Sequence, residues 1–223
     1  ATKFYQAHLL QTASGKKILE YLKDRGINDE SIKNFRLGYA PNGWTNTLDF
    51  LIKNGFAEQE IAKTGLLVES QKSGGRRFYD RFRDRIMFPI ADVNGKIVGY
   101  SARVAPGGDE SQAKYVNTPE TEVYHKSKIL YGISRAKGEI RQQKSVLLVE
   151  GNMDVIAAHQ AGIKNTVAVS GTALTEEHLN IIKRYTDNIK MCFDMDSAGE
   201  AATKKSLKLC FEKEINAQVV RLP

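Results

Sequence analysis

A mixed α/β fold follows from three features of this sequence. Over its last third, short apolar runs that stop on acidic residues, as in VLLVEGNMD (146–154) and KMCFDMD (190–196), alternate with amphipathic stretches. Before them, two apolar runs flank Asn94–Gly95, the strongest short-range hairpin signal. The first third instead carries apolar residues at helical spacing. The expectation is an N-terminal basic α+β subdomain over residues 1–127. A parallel sheet flanked by helices follows over 128–223.

Taken in order, residues 4–24 read as one helix, with Ile18, Leu19 and Leu22 on a common face and Gly26 as the stop. Asn28 is placed to cap a second helix reaching about Arg36. GYAPNGW (38–44) reads as a loop, with Trp44 a packing residue at its edge. Residues 45–53 and 58–64 are two short helices separated by Asn54–Gly55. Residues 79–90 and 97–104 then form a hairpin. Arg81, Arg83 and Arg85 alternate with Phe82, Asp84 and Ile86, which puts three guanidiniums on one strand face. That face suits an anionic ligand; an edge strand guarded by charge is the competing explanation. Residues 105–112 form a loop. Residues 113–132 mix Lys, Tyr, Asn and His, types that hydrogen-bond to and stack on nucleotides. Tyr115 and Tyr124 fit half-buried packing roles equally well, and His125 fits the surface.

A basic helix (131–144) leads into the first buried strand, 146–150, whose continuous apolar run fits burial on both faces. Glu150 ends it, and an amphipathic helix starts near Asp154. A strand at 166–169, a Ser170–Gly171–Thr172 turn, and a helix begun by Thr175 come next. A strand at 189–193 then runs into Asp194 and Asp196. Ser197–Ala198–Gly199–Glu200 is a capping-box pattern, starting a helix to about Lys213. Gln218 opens the last strand (218–222). This β-α-β-α-β-α-β order implies parallel strands with right-handed crossovers. In such sheets ligands lie outside the carboxyl ends of the strands, where Glu150 and the Asp194/Asp196 pair fall. If the chain stays extended, Asp194 and Asp196 point the same way. Two carboxylates about 4–6 Å apart repel by roughly 3–4 kcal/mol at an effective dielectric of 20. A proton or a hard cation such as Mg²⁺ or Mn²⁺ removes that repulsion. Solvated acids at strand ends remain the alternative.

The net charge of +7 is unevenly spread. Residues 72–145 hold 15 basic and 8 acidic side chains, against 9 and 8 in residues 1–71 and 9 and 10 in residues 146–223. A basic middle followed by an acidic site suits a polyanion that reacts at a metal. No apolar run approaches membrane-spanning length, and ATKFYQAHLLQ lacks a signal-peptide pattern. Cys192 and Cys210 make no disulfide framework or zinc motif, which points to reduced thiols in a cytoplasmic protein.

VEGNMD and FDMDSAG resemble the two halves of the Toprim domain, which is shared by primases, type IA and type II topoisomerases and some nucleases. GIKNTVAVSGTALTEEHL (162–179) is similar to bacterial DnaG-type primases in particular. So are DRFRDRIMFPI, GYSARV, AKYVNTPET and HKSKILYG, blocks that Toprim topoisomerases lack. The resemblance covers most of residues 35–222. It implies a DNA-dependent RNA polymerase that makes short RNA primers on single-stranded DNA from ribonucleoside triphosphates. The setting it implies is the bacterial cytoplasm, in association with the nucleoid. It also implies two or more Mg²⁺ (or Mn²⁺) ions held by Glu150, Asp154, Asp194 and Asp196, with Glu150, Asp194 and Asp196 catalytic. Arg103, Lys114, Tyr115, Asn117 and Lys126 fall on positions that bind template or nucleotide in primases, and Arg81 and Arg83 fall in the basic block. Asn152 stands where many relatives have an aromatic residue, and Met195 where glycine is common; each is expected to alter access to the site. A further acidic motif, a zinc-binding module and a helicase-binding region have no counterpart in these residues. The chain therefore reads as a polymerase core cut short, reaching the replicative helicase through a missing C-terminal region. Two rival readings are a Toprim nuclease or topoisomerase fragment, for which no tyrosine nucleophile is identifiable, and a non-catalytic, metal-dependent nucleic-acid-binding module.

Overall fold

The computed structural model describes residues 1–70, 78–108, 111, 113–194 and 197–221. The chain divides into two compact units, one made of residues 1–90 and 98–124, the other of 91–97 and 125–223.

The first unit opens with two helices rather than one, α1 (Thr2–Gln11) and α2 (Ala13–Asp24). The expected single helix breaks at Thr12, whose extended backbone (φ −101°, ψ 157°) lets Oγ1 accept the Gly15 N–H at 3.0 Å. Gly15 has no side chain to block the turn; a Cβ there would lie 2.1 Å from the His8 carbonyl oxygen. Asn28 caps α3 (Asp29–Asn34) through Oδ1, as expected. The expected 38–44 loop begins as a strand, β1 (Gly38–Ala40), paired antiparallel with β4 (Arg85–Ala91). Gly38 admits α1, since a Cβ there would meet Tyr5 Cβ at 2.5 Å. The sheet order is β1-β4-β5-β6, with β5 at Ile97–Val104 and β6 at Tyr115–Asn117. Between β1 and β4 lie α4 (Asn46–Lys53), α5 (Glu58–Lys63) and the pair β2 (Leu67–Glu69) and β3 (Phe78–Asp80).

Asp80 is the polar pivot of this unit. It is 1% exposed, and its carboxylate accepts the Thr47 and Leu48 N–H groups at 2.7 and 3.0 Å, satisfying the first turn of α4 from outside the helix. Burial pushes its carboxyl above the ordinary value, while those N–H groups pull it down.

The second unit is a four-stranded sheet in the order β10-β9-β7-β8, with β10–β9, β9–β7 and β7–β8 all paired in parallel. Its strands are β7 (Val146–Val149), β8 (Thr166–Ala168), β9 (Asn188–Met191) and β10 (Asn216–Val219). The crossover helices are α7 (Asn152–Gln160), α8 (Glu176–Lys183) and α9 (Ser197–Glu212), as the alternating pattern requires. β9 stops two residues earlier than expected, so Asp194 lies beyond the strand. The core gathers Val146, Leu148, Val167, Ile189 and Met191 from the strands with Ile140 of α6 (Ile133–Gln143) and Leu179 and Ile182 of α8. No helix among the described residues is long and apolar enough to cross a membrane.

Asp80→Ala orphans two buried N–H groups and is expected to destabilise the first unit by about 2–3 kcal/mol, with Asp80→Asn milder because its amide oxygen still accepts. Urea unfolding of both variants checks this; equal stability of Asp80→Ala and the parent contradicts it.

Candidate functional site

Parallel pairing of β7 with β9 sets Leu148 opposite Met191, and the Cys192 N–H continues the ladder to the Leu148 carbonyl at 2.9 Å. Glu150 and Asp194 are thereby carried past the same sheet edge. Glu150 Oε1 accepts the Asp194 N–H at 3.2 Å. Phe193 turns into the core while Asp194 is exposed. The first turn of α9 rests on the Asp194 peptide, and only glycine fits there: a Cβ on Gly199 would fall 2.0 Å from the Asp194 carbonyl oxygen. Asp154 projects from the first turn of α7, where Oδ2 accepts the Gly151 N–H at 3.0 Å. Its carboxyl lies at the surface but is raised, first by partial removal from water and then by the charge of Asp194, while the Gly151 N–H opposes both. The Cys192 thiol is raised by burial and by both Asp154 and Asp194. Glu150, Asp154 and Asp194 thus come from three elements into one electrostatic neighbourhood.

Asp196 and Met195 lie outside the described residues. Among the described residues no three His, Cys, Asp or Glu side chains close into a ready-made coordination cluster. The oxygen-only donors nevertheless fit a hard divalent cation, and the mutual field of Asp154 and Asp194 is what such an ion relieves.

The cationic candidates of the first unit fall into two groups. Arg103 and Tyr115 are direct partners on β5 and β6, as are Ser101 and Asn117, so Arg103, Tyr115 and Asn117 share one face. The Arg103 guanidinium lies between the Tyr21 and Tyr115 rings, 5.7 and 5.8 Å from their centroids. Lys114 precedes β6, its carbonyl accepting the Val104 N–H.

Arg81, Arg83 and Arg85 form no common strand face, contrary to the alternation read from the sequence. Residues 81–84 lie outside any strand, and Asp84 takes a left-handed backbone (φ 50°) with its carboxylate accepting from the Tyr39 hydroxyl at 2.7 Å. Arg81 turns back to the Gly65 and Leu67 carbonyls. Arg85 is buried against the Ala102 and Ala113 carbonyls. Arg83 reaches the Asp80 carbonyl and lies over Trp44, 4.4 Å from the ring centroid, and near Tyr79 at 5.2 Å. Trp44 is 65% exposed, so it is no packing residue; with Tyr79 at 5.3 Å it forms an aromatic shelf under a cation. Sequence reasoning missed this shelf because nothing in the spacing separates an exposed tryptophan from a packed one.

Lys126 opens a 3₁₀ turn (Lys126–Lys128) held by the start of α8. Thr175 Oγ1 donates to the Ser127 carbonyl at 2.7 Å and accepts the His178 N–H at 3.1 Å. His178 Nδ1 accepts the Thr175 N–H at 3.3 Å, which makes Nε2 the protonated nitrogen, aimed at the Lys126 carbonyl at 3.0 Å. Burial holds the imidazole below its ordinary pKa.

The parallel βαβ sheet with carboxylates beyond its strand ends is a Toprim-like domain by family as well, since the family profile described as Toprim-like matches residues 147–223. The profile for the DNA primase catalytic core, N-terminal domain, matches residues 4–137. The chain belongs to the bacterial DnaG-type DNA primase family. It is 40% identical over 221 residues to the DNA primase of Staphylococcus aureus (strain COL), a match covering 99% of this chain and 36% of that protein. The chain thus spans about a third of the length of the curated relatives it matches. A DNA primase domain from Pseudomonas aeruginosa superposes with a TM-score of 0.89 at 39% identity, covering 100% of this chain and 68% of that one. A DnaG primase catalytic domain bound to single-stranded DNA gives 0.86 at 36% identity, with the same coverage. Toprim primases are metal-dependent as a family.

Because His178 is neutral and doubly bonded in the fold, the unfolded chain takes up the proton first as pH falls. Stability is expected to decline as pH drops below the ordinary histidine value of about 6.5. Urea midpoints at pH 7.5 and 5.5 check this: the parent should lose stability at the lower pH and His178→Gln should lose less. Equal pH dependence in both contradicts the assignment.

Proposed function

We propose that this chain is the primer-synthesising core of a bacterial primase. It extends RNA on a single-stranded DNA template from ribonucleoside triphosphates. The carrying observation is the meeting of the β7 and β9 ends, where Glu150 Oε1 takes the Asp194 N–H. In each addition the primer 3′-oxygen forms a bond to the α-phosphorus, the bond to pyrophosphate breaks, and the hydroxyl proton leaves.

Glu150, Asp194 and Asp196 are the catalytic acids, and with Asp154 they would hold two or more Mg²⁺ or Mn²⁺ ions. When bound, such ions lower the pKa of the attacking hydroxyl and neutralise the departing pyrophosphate. Glu150 is a candidate acceptor for the hydroxyl proton. Gly199 keeps Asp194 in place by letting α9 lie against its peptide.

Arg81, Arg83, Arg103, Lys114, Tyr115, Asn117 and Lys126 hold template and nucleotides. The Trp44–Tyr79–Arg83 shelf supports this reading: an exposed ring such as Trp44 stacks on unpaired bases regardless of sequence, and the guanidinium meets phosphate. The solved relative bound to single-stranded DNA supports the same ligand class. The replicative helicase is the expected partner of the longer protein, and the bacterial cytoplasm, at the nucleoid, its setting.

Incorporation of labelled ribonucleotides on a single-stranded template with Mn²⁺ or Mg²⁺ tests the proposal, read beside template binding. Asp194→Ala should abolish incorporation while single-strand affinity persists. Trp44→Ala should weaken single-strand binding by about 1–3 kcal/mol. Incorporation that survives in Asp194→Ala, or degradation of the template without incorporation, would contradict it, the latter favouring a nuclease.

A further inference from the structure

The peptide that carries Glu150 is gripped from a direction the sequence does not advertise. After β8 the chain turns through Ser170 and Gly171, with φ of +51° and +81°. Ser170 occupies a left-handed conformation that serine seldom adopts. Two bonds accompany it. The Ser170 N–H donates to the Glu150 carbonyl at 3.2 Å, and the Ser170 hydroxyl donates to Asn152 Oδ1. Asn152 is 3% exposed, so its amide faces this turn rather than solvent. Ser170 therefore holds both ends of the Glu150–Gly151–Asn152 linker. From the other side Asp154 binds the Gly151 N–H between them.

We propose that Asn152 and Ser170 are a positioning pair. Their bond ties the start of α7 to the β8 turn and so fixes where Glu150 and Asp154 present their carboxylates to a divalent cation. Neither residue touches the ion. The inference rests on the metal role given to these acids above. Buried partners that orient metal-ligating side chains typically change metal affinity by 10- to 100-fold when removed. The Asn152–Ser170 bond is partly buried, connects separate elements, and has no counterpart in an aromatic residue at position 152.

Mn²⁺ affinity of the whole chain, read from the free-ion electron paramagnetic resonance signal, is the measurement. Asn152→Ala and Ser170→Ala are each expected to weaken Mn²⁺ binding roughly 10-fold. The double variant should be no weaker than the worse single one, because both remove the same bond. Ser170→Gly separates positioning from folding: glycine accepts the left-handed turn and keeps the N–H to Glu150, lacking only the hydroxyl. It should match Ser170→Ala in Mn²⁺ affinity while its unfolding midpoint in chelator stays near that of the parent. Incorporation at low Mn²⁺ should fall through kcat with ribonucleotide KM unchanged, and recover as Mn²⁺ is raised. If Glu150→Gln loses Mn²⁺ but Asn152→Ala and Ser170→Gly bind it as the parent does, the positioning proposal is overturned and the metal site stands. If Glu150→Gln also binds like the parent, the metal role itself is wrong and the proposal falls with it.

Discussion

The register between β7 and β9 is the constraint on which the second unit depends. Two short strands separated by about forty residues pair in parallel, with Val146 opposite Ile189 and Leu148 opposite Met191. Their side chains are buried in a common core, so a one-residue slip would turn each strand inside out. That penalty is hydrophobic, yet its consequence is electrostatic. With the register held, Glu150 and Asp194 must leave the sheet side by side, and the Glu150 carboxylate can take the Asp194 N–H. The apolar core thus sets the separation of charges that would otherwise repel.

The surrounding turns use small residues to keep these acids where the strands deliver them. Gly199 lets α9 approach the Asp194 peptide, and Gly151 gives its N–H to Asp154. Ser170 closes on the Glu150 carbonyl from β8. Each contact uses a backbone group on at least one side, a stiffer support than two long side chains would give. The first unit follows another logic. Asp80, buried under α4, anchors one end of the segment that carries Arg83, and the exposed Trp44 ring and half-buried Tyr79 ring lie beneath that guanidinium. A buried carboxylate therefore serves as scaffold here, where the other unit keeps its acids at an open edge.

The sheet was legible because its signal is local: VLLV is apolar without interruption, the runs at 166–169 and 189–193 are apolar but for Thr166 and Lys190, and they end on Glu, Ser–Gly or Asp. The acids at strand ends were legible for the same reason. The alternation of Arg81, Arg83 and Arg85 makes no strand face because a left-handed Asp84, bonded to Tyr39 forty-five residues away, breaks the extension. The N-terminal segment is two helices because Thr12 caps α2 and Gly15 allows the close approach to α1, a break that the apolar spacing over 4–24 does not show. Trp44 and the Asn152–Ser170 bond depend on exposure and on contacts between distant segments, which residue spacing does not encode.

Glu150 after β7, Asp154 on α7 and Asp194 after β9 are proposed to bind divalent metal together. Anomalous scattering from Mn²⁺ in crystals of this chain tests it most directly. A peak is expected at the carboxyl ends of β7 and β9, within about 2.1 Å of carboxylate oxygens from at least two of Glu150, Asp154 and Asp194. No peak there at saturating Mn²⁺, or Glu150 swung away from the Asp194 N–H with the ion bound elsewhere, would contradict it.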